Sequence, residues 1–118
     1  MAQNDDAVTR AADKFAAIGT DARLRMVRLL LAAHPKGMSA GDIGNELDIA
    51  PSTLSHHLDR LKREDILRVR REGTFLWYTA NTETLEGLMK FLFAECCTRT
   101  SAINPERLTF IRPGAVKG

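Results

Sequence analysis

Aromatic residues are scarce in this chain: five Phe, one Tyr and one Trp make up 6% of its 118 residues. The core must then be built mainly from Leu, Ile, Val, Met and Ala, within an apolar content of 44%. Long apolar runs are also missing. The longest, Leu29-Leu30-Leu31-Ala32-Ala33, falls far short of the roughly 20 residues that span a bilayer, so no membrane partner is expected. The first residues, Met1-Ala2-Gln3-Asn4-Asp5-Asp6, have neither the basic start nor the apolar stretch of a secretory signal, and a cytoplasmic location follows as the expectation. Charge of one sign is lacking as well. The net charge of +2 permits a polyanionic partner without requiring one, so the placement of charge has to carry that argument. There is no internal repeat, no low-complexity segment, no phosphate-cradling loop and no nucleophile–base–acid set, and an enzyme is not expected. Only two cysteines occur, Cys96 and Cys97. In a reducing compartment they are expected as thiols, and a bond between neighbours closes a small strained ring that makes a poor staple.

The length suits one domain. Residues 1–12 read as a flexible polar arm, 13–97 as the folded domain, and 98–118 as a tail in which Asn104-Pro105 and Pro113-Gly114 argue against a long helix. Apolar periodicity begins at Phe15 and Ile18 in a short helix that Gly19 ends. Thr20 can cap a second helix, with Asp21 in its first turn and Leu24, Val27 and Leu31 at helical spacing beside Leu30. Pro35 and Gly37 close it. Ser39-Ala40-Gly41-Asp42 has capping-box spacing and opens a third helix with Ile43 and Leu47 on its inner face. After the tight link Asp48-Ile49-Ala50, Pro51 suits the first position of a fourth helix, on which Leu54, Leu58 and Leu61 form one apolar stripe. The pattern then alternates. Leu67-Arg68-Val69-Arg70 and Phe75-Leu76-Trp77-Tyr78-Thr79 read as a hairpin around Arg71-Glu72-Gly73-Thr74, with Gly73 free to take a positive φ. A last helix is expected from Thr82 to Cys97, with Leu85, Leu88, Met89, Leu92 and Cys96 along one face.

Two short helices joined by a tight link and followed directly by a basic hairpin are the parts of a winged helix-turn-helix, a mainly α fold with a small β wing. Its second helix enters the major groove of DNA and needs small hydrogen-bonding side chains near its start. Ser52, Thr53, Ser55 and His56 supply them. Arg60 and Arg63 lie further along, where phosphates are within reach, and Arg68, Arg70 and Arg71 arm the wing. The local excess of base is modest, because Asp59, Glu64, Asp65 and Glu72 stand in the same stretch. The order of the parts is therefore more telling than the charge. One such module makes few base contacts, so a homodimer on an inverted-repeat operator is expected, paired through the apolar surplus at Phe15, Ile18, Leu85, Leu88, Met89 and Leu92.

Over about residues 15–97 the chain resembles the ArsR family of metal- and metalloid-responsive repressors. The resemblance rests on Gly19-Thr20-Asp21-Ala22-Arg23-Leu24-Arg25-Met26, on Ala50-Pro51-Ser52-Thr53-Leu54-Ser55-His56-His57-Leu58, and on Arg71-Glu72-Gly73 followed by Tyr78. It implies a homodimer that pairs through its first and last helices and blocks its own operon until an inducer binds.

His56 and His57 are neighbours on a helix and diverge, so they chelate one ion poorly. His57 is expected as a satisfied structural histidine and His56 as a residue facing DNA. Cys96 alone continues the apolar stripe, but Cys97 does not, and two vicinal thiols form a soft donor pair that selects trivalent arsenic or antimony over hard cations. Zinc fits less well, since it wants four ligands at spaced positions. The resemblance sharpens this point: some arsenic-sensing relatives end the last helix in a Cys-Cys dipeptide and add a third cysteine soon after. Ser101-Ala102-Ile103-Asn104 offers no thiol, and neither does Glu46-Leu47-Asp48-Ile49-Ala50 in the recognition pair. A two-thiol site favours a trivalent organoarsenical such as methylarsenite over arsenite, provided the helix loosens at Cys97-Thr98 so that both sulfurs reach one atom. The rival readings are a redox sensor using the same thiols and an effector-free interaction module.

Overall fold

The first helix, α1 (Ala2–Ile18), contains neither Gly nor Pro and is rich in Ala, the residue that favours helix most. The computed structural model describes residues 2–99, with side chains from residue 6 onward, so the tail from residue 100 lies outside the described residues. The expectation of a polar arm followed by a helix near Phe15 is corrected here: the helix runs back to Ala2. Polarity misled, because a solvated helix face is polar too and nothing in the segment breaks the backbone ladder. The chain divides into two compact units, Met1–Glu86 and Gly87–Gly118.

Gly19 ends α1, and the Thr20 side chain accepts the Arg23 amide to cap α2 (Asp21–Ala32). The inner face of α2 differs from the expected Leu24–Leu31 stripe. Met26, Val27 and Leu30 are buried, while Leu24 and Leu31 are 48% and 43% exposed. Both stripes have helical spacing. The choice between them falls to the elements packed around α2, which include α1 and later helices and a strand.

A strand of two residues, β1 (Met38–Ser39), is too short to show alternation and is not expected from the sequence. It adds to the hairpin of β2 (Leu67–Glu72) and β3 (Phe75–Ala80), giving an antiparallel sheet in the order β1-β3-β2. Gly37 makes this addition feasible. Its φ is +82, and a Cβ there would lie 2.3 Å from the Tyr78 carbonyl oxygen and 2.5 Å from Thr79 Cγ2. Gly73 also takes a positive φ at the hairpin turn, but with open space around it.

Ser39 caps α3 (Ala40–Leu47) by accepting the Asp42 amide. Asp48, in the left-handed region at φ 55, turns the chain, and Pro51 begins α4 (Pro51–Arg63). Ile43, Leu54, Leu58 and Leu61 are buried together with Ile66, Leu67 and Ala80, so the leucine stripe of α4 closes the core as expected. Asn81 is a buried polar residue that sequence reading passed over. Its side chain donates to the Asp65 carbonyl at 3.0 Å and accepts the Thr84 amide at 3.3 Å, which joins the hairpin's end to the first turn of α5 (Thr82–Phe93).

The last helix stops at Phe93, four residues before Cys97, where sequence reading ends it. Beyond Phe93 the chain forms turns, with short-range bonds from the Cys96 amide to the Phe93 carbonyl and from the Thr98 amide to the Glu95 carbonyl. The expected apolar stripe is only partly inward: Leu88 is buried, but Met89 and Leu92 are exposed. No side chain from Leu92 to Arg99 is buried, and a helix without burial has little to hold it. Among the described residues no helix is long and apolar enough to cross a membrane.

Candidate functional site

With its leucines inward, α4 turns Ser52, Thr53, Ser55 and His56 outward, and all four are exposed. At 100° per residue, Ser52, His56, Asp59 and Arg63 lie opposite the leucine stripe, Thr53 and Arg60 lie on one flank, and Ser55 and Lys62 lie on the other. The Arg63 Nε is 3.2 Å from Asp59 Oδ2, so this arginine carries an exposed acidic partner one turn away. The Ser55 flank meets the wing. Ser55, Leu58, Asp59, Lys62 and Tyr78 line a polar crevice of about 130 Å³. Sequence reading missed Lys62 and Tyr78 here. The seven-residue spacing from Ser55 to Lys62 is visible in the sequence, but the approach of Tyr78 is not.

That crevice orients the sheet. Side chains alternate across a strand, and Tyr78 pairs with Val69 while Leu76 pairs with Arg71. Val69, Arg71, Leu76 and Tyr78 therefore share the face turned to α4. Arg68 and Arg70 lie on the other face, where both have partners. Arg68 Nη2 is 2.7 Å from Glu83 Oε1. Arg70 donates to the Lys36 carbonyl at 3.3 Å and lies 3.7 Å from Glu72 Oε2, while Lys36 Nζ stands 5.6 Å from the Trp77 ring centroid. The nine residues picked from the sequence are thus split by the fold. Arg71 lies on the sheet face turned to α4, and Arg68 and Arg70 lie on the other.

This split sets an expected result. Arg71→Ala is expected to reduce the slope of log affinity against log salt by about 0.9, the loss of one phosphate contact, whereas Arg68→Ala leaves the slope unchanged. DNA titrations at several salt concentrations read both. Equal slope changes for the two variants would refute the assignment by sheet face.

His57 is the satisfied histidine that the sequence suggested. The Arg23 guanidinium donates to its Nδ1 at 3.1 Å and also bonds the Ala17 carbonyl, tying the end of α1, the start of α2 and the middle of α4 together. Since arginine can only donate, Nδ1 accepts and the ring is neutral with its proton on Nε2. Burial, the Arg23 cation and His56 push His57 below the usual histidine range. His56 stays exposed, its ring centroid 6.4 Å from that of His57. Among the described residues no three His, Cys, Asp or Glu side chains gather around a space for a metal ion.

Cys96 and Cys97 lie in the turns after α5, with their sulfurs 3.0 Å apart. On an ideal helix, neighbours point about 100° apart. Here Cys97 adopts φ +67, a left-handed conformation uncommon outside glycine, and this brings the sulfurs together. Cys96 is partly buried and Cys97 exposed. The hydrogen bond with Cys97, and then burial, raise the Cys96 pKa.

A capped helix pair with a short left-handed turn, an outward polar face and an adjoining β wing defines a winged helix-turn-helix DNA-binding protein. A family model described as a helix-turn-helix domain matches residues 18–70. The chain is 32% identical over 78 residues to the transcriptional repressor SdpR of Bacillus subtilis (strain 168), covering 66% of this chain and 83% of SdpR. It is 27% identical over 99 residues to the cadmium resistance transcriptional regulatory protein CadC of Listeria innocua serovar 6a, covering 74% and 82% of the two chains. The homodimeric winged helix-turn-helix domain of Mb0332 from Mycobacterium bovis shares the fold, with a TM-score of 0.62 at 22% identity over 86% of this chain and 94% of that one. The chain belongs to the ArsR/SmtB-type winged helix-turn-helix transcriptional regulators. Its homologues are named as regulators of transcription and not as enzymes.

Proposed function

We propose that this regulator is a cytoplasmic repressor that binds an inverted-repeat operator as a homodimer and is released when a trivalent arsenical, or its antimony counterpart, binds Cys96 and Cys97. The observation that carries the inducer reading is the 3.0 Å separation of the two sulfurs, which lets both reach one atom. Each sulfur–arsenic bond replaces an arsenic–hydroxyl bond, and the thiol proton leaves with that hydroxyl as water. Trivalent arsenic takes three ligands. In methylarsenite carbon holds one position and two thiolates complete the set, whereas arsenite needs a third donor from water or from the partner subunit.

In this reading Ser52, Thr53, Ser55 and His56 read base edges, and Arg60, Arg63 and Arg71 hold phosphates. The exposure of Val8, Phe15, Met89 and Leu92 and the homodimeric state named for Mb0332 support a homodimer. The test is release of the protein from its own promoter DNA by titrated methylarsenite and arsenite. Methylarsenite is expected to act at the lower concentration, and the reverse order would remove the two-thiol selectivity.

The same sulfur separation supports a second reading, a redox switch. Two thiols would lose two protons and two electrons to a peroxide, forming one disulfide and two waters. Release by peroxide with no response to arsenicals would select it.

A further inference from the structure

Phe75 is the most exposed large apolar side chain among the described residues, at 62%. It stands at the far end of the wing, next to the two-residue turn of Gly73 and Thr74, and Leu76 beside it is 39% exposed. One exposed apolar residue would need no account. Here two are adjacent at the tip of a hairpin, and alternation places them on opposite faces of it. Arginine flanks both faces. Arg71 is paired with Leu76, and on the Phe75 face Arg70 stands two residues before Glu72, which is paired with Phe75 and lies 3.7 Å from Arg70. An apolar tip with arginine behind it on each face suits a partner with anionic edges and an apolar interior. A DNA groove has both, since phosphates line its rims and stacked bases form its floor. The wing meets α4 at the Tyr78 crevice, on the Leu76 face of the hairpin, while Phe75 stands at the tip on the opposite face.

We propose that Phe75 is an apolar wedge that enters the minor groove beside the recognition site and partly unstacks a base step, bending the DNA. The inference rests on DNA binding by α4 and goes beyond it. It gives the wing a role in reading deformability, favouring flexible pyrimidine–purine steps at positions that α4 does not touch. Because the wedge carries no charge, it releases no counterions, and its contribution is independent of salt. Gly73 suits this role, since nothing lies within 4 Å of where its Cβ would be and the turn is slim enough to enter a narrow groove.

The test compares wild type, Phe75→Ala and Phe75→Leu on the promoter duplex that the wild type binds. Three quantities are read: affinity across a salt series, bend angle from end-to-end energy transfer, and fluorescence of 2-aminopurine moved step by step along the duplex. Wild type is expected to bend the duplex and to brighten the probe at a step flanking the α4 site. Phe75→Ala is expected to bind on the order of tenfold more weakly with an unchanged salt slope, a smaller bend and no brightening. Phe75→Leu keeps an apolar wedge and is expected to fall between. Unchanged affinity and bend in Phe75→Ala would overturn the proposal, and so would a salt slope altered as in Arg71→Ala. A change of oligomeric state in Phe75→Ala, seen by light scattering, would overturn it in favour of a protein contact. Failure of the wild type to bind its promoter would instead sink the DNA-binding reading itself. Thermal melting of each variant identifies any loss due to unfolding, which an exposed tip residue is not expected to cause.

Discussion

Gly37→Ala is expected to lower stability by about 3 kcal/mol, the sum of a left-handed backbone penalty and local overpacking. Two independent costs meet at this position. The backbone sits at φ +82, where a Cβ crowds its own carbonyl, and that Cβ would also press on the Tyr78 carbonyl oxygen and Thr79 Cγ2. Both neighbours belong to β3, the central strand of the sheet, so relief requires β1 to part from β3. For a domain of this size the loss corresponds to a fall of roughly 10–20 °C in melting temperature. Gly73→Ala is the matched control. It has a similar φ of +64 but no neighbour within 4 Å, so it is expected to cost only about 1 kcal/mol. Thermal denaturation of the two variants separates the steric cost from the backbone cost. Equal losses would show that the sheet yields around residue 37.

Cys97→Ser is expected to leave operator affinity unchanged and to abolish the response to methylarsenite. Coupling of this kind is typically about 5- to 150-fold in affinity, and the variant is expected to show none. A serine oxygen is a harder donor than a thiolate and completes no soft pair with Cys96. A ligand shifts the equilibrium only if it binds the DNA-released form more tightly, so induction requires the pair to differ between the two forms. Promoter DNA titrated with and without methylarsenite measures both effects in one series. Normal release of Cys97→Ser by every arsenical and oxidant tested would return the pair to a structural role. Cys96→Ser provides a second arm, since Cys96 is the thiol whose pKa the pair raises.

Much of the DNA-reading half is legible in the sequence, because its determinants are local. Thr20 and Ser39 cap amides three residues away, Pro51 begins a helix, Gly73 takes the turn, and Leu54, Leu58 and Leu61 share one face by spacing alone. The Ser-Thr-x-Ser-His run on the opposite face of α4 then follows from helical geometry. The thiol pair was visible as composition, since two adjacent cysteines stand in a chain that has no others.

What remained closed to the sequence depended on partners distant along the chain. Periodicity offered two apolar stripes on α2, and only packing turned Met26 and Leu30 inward and left Leu24 and Leu31 outside. A strand as short as β1 has no pattern of its own and exists because β3 pairs with it. The wing arginines look equivalent in sequence. Their separation into Arg71 on the α4 side and Arg68 and Arg70 on the other comes from strand register and from the side of the sheet that α4 covers. The end of α5 at Phe93 is the same kind of result. Helix propensity continues past it, but no burial accompanies the next turn, and the left-handed Cys97 that follows places the two sulfurs side by side. Sequence alone determined the helix-turn-helix, because caps, prolines and leucine spacing act within one or two turns. The tertiary structure decided which faces meet, because that choice depends on surfaces contributed by residues far apart in the chain.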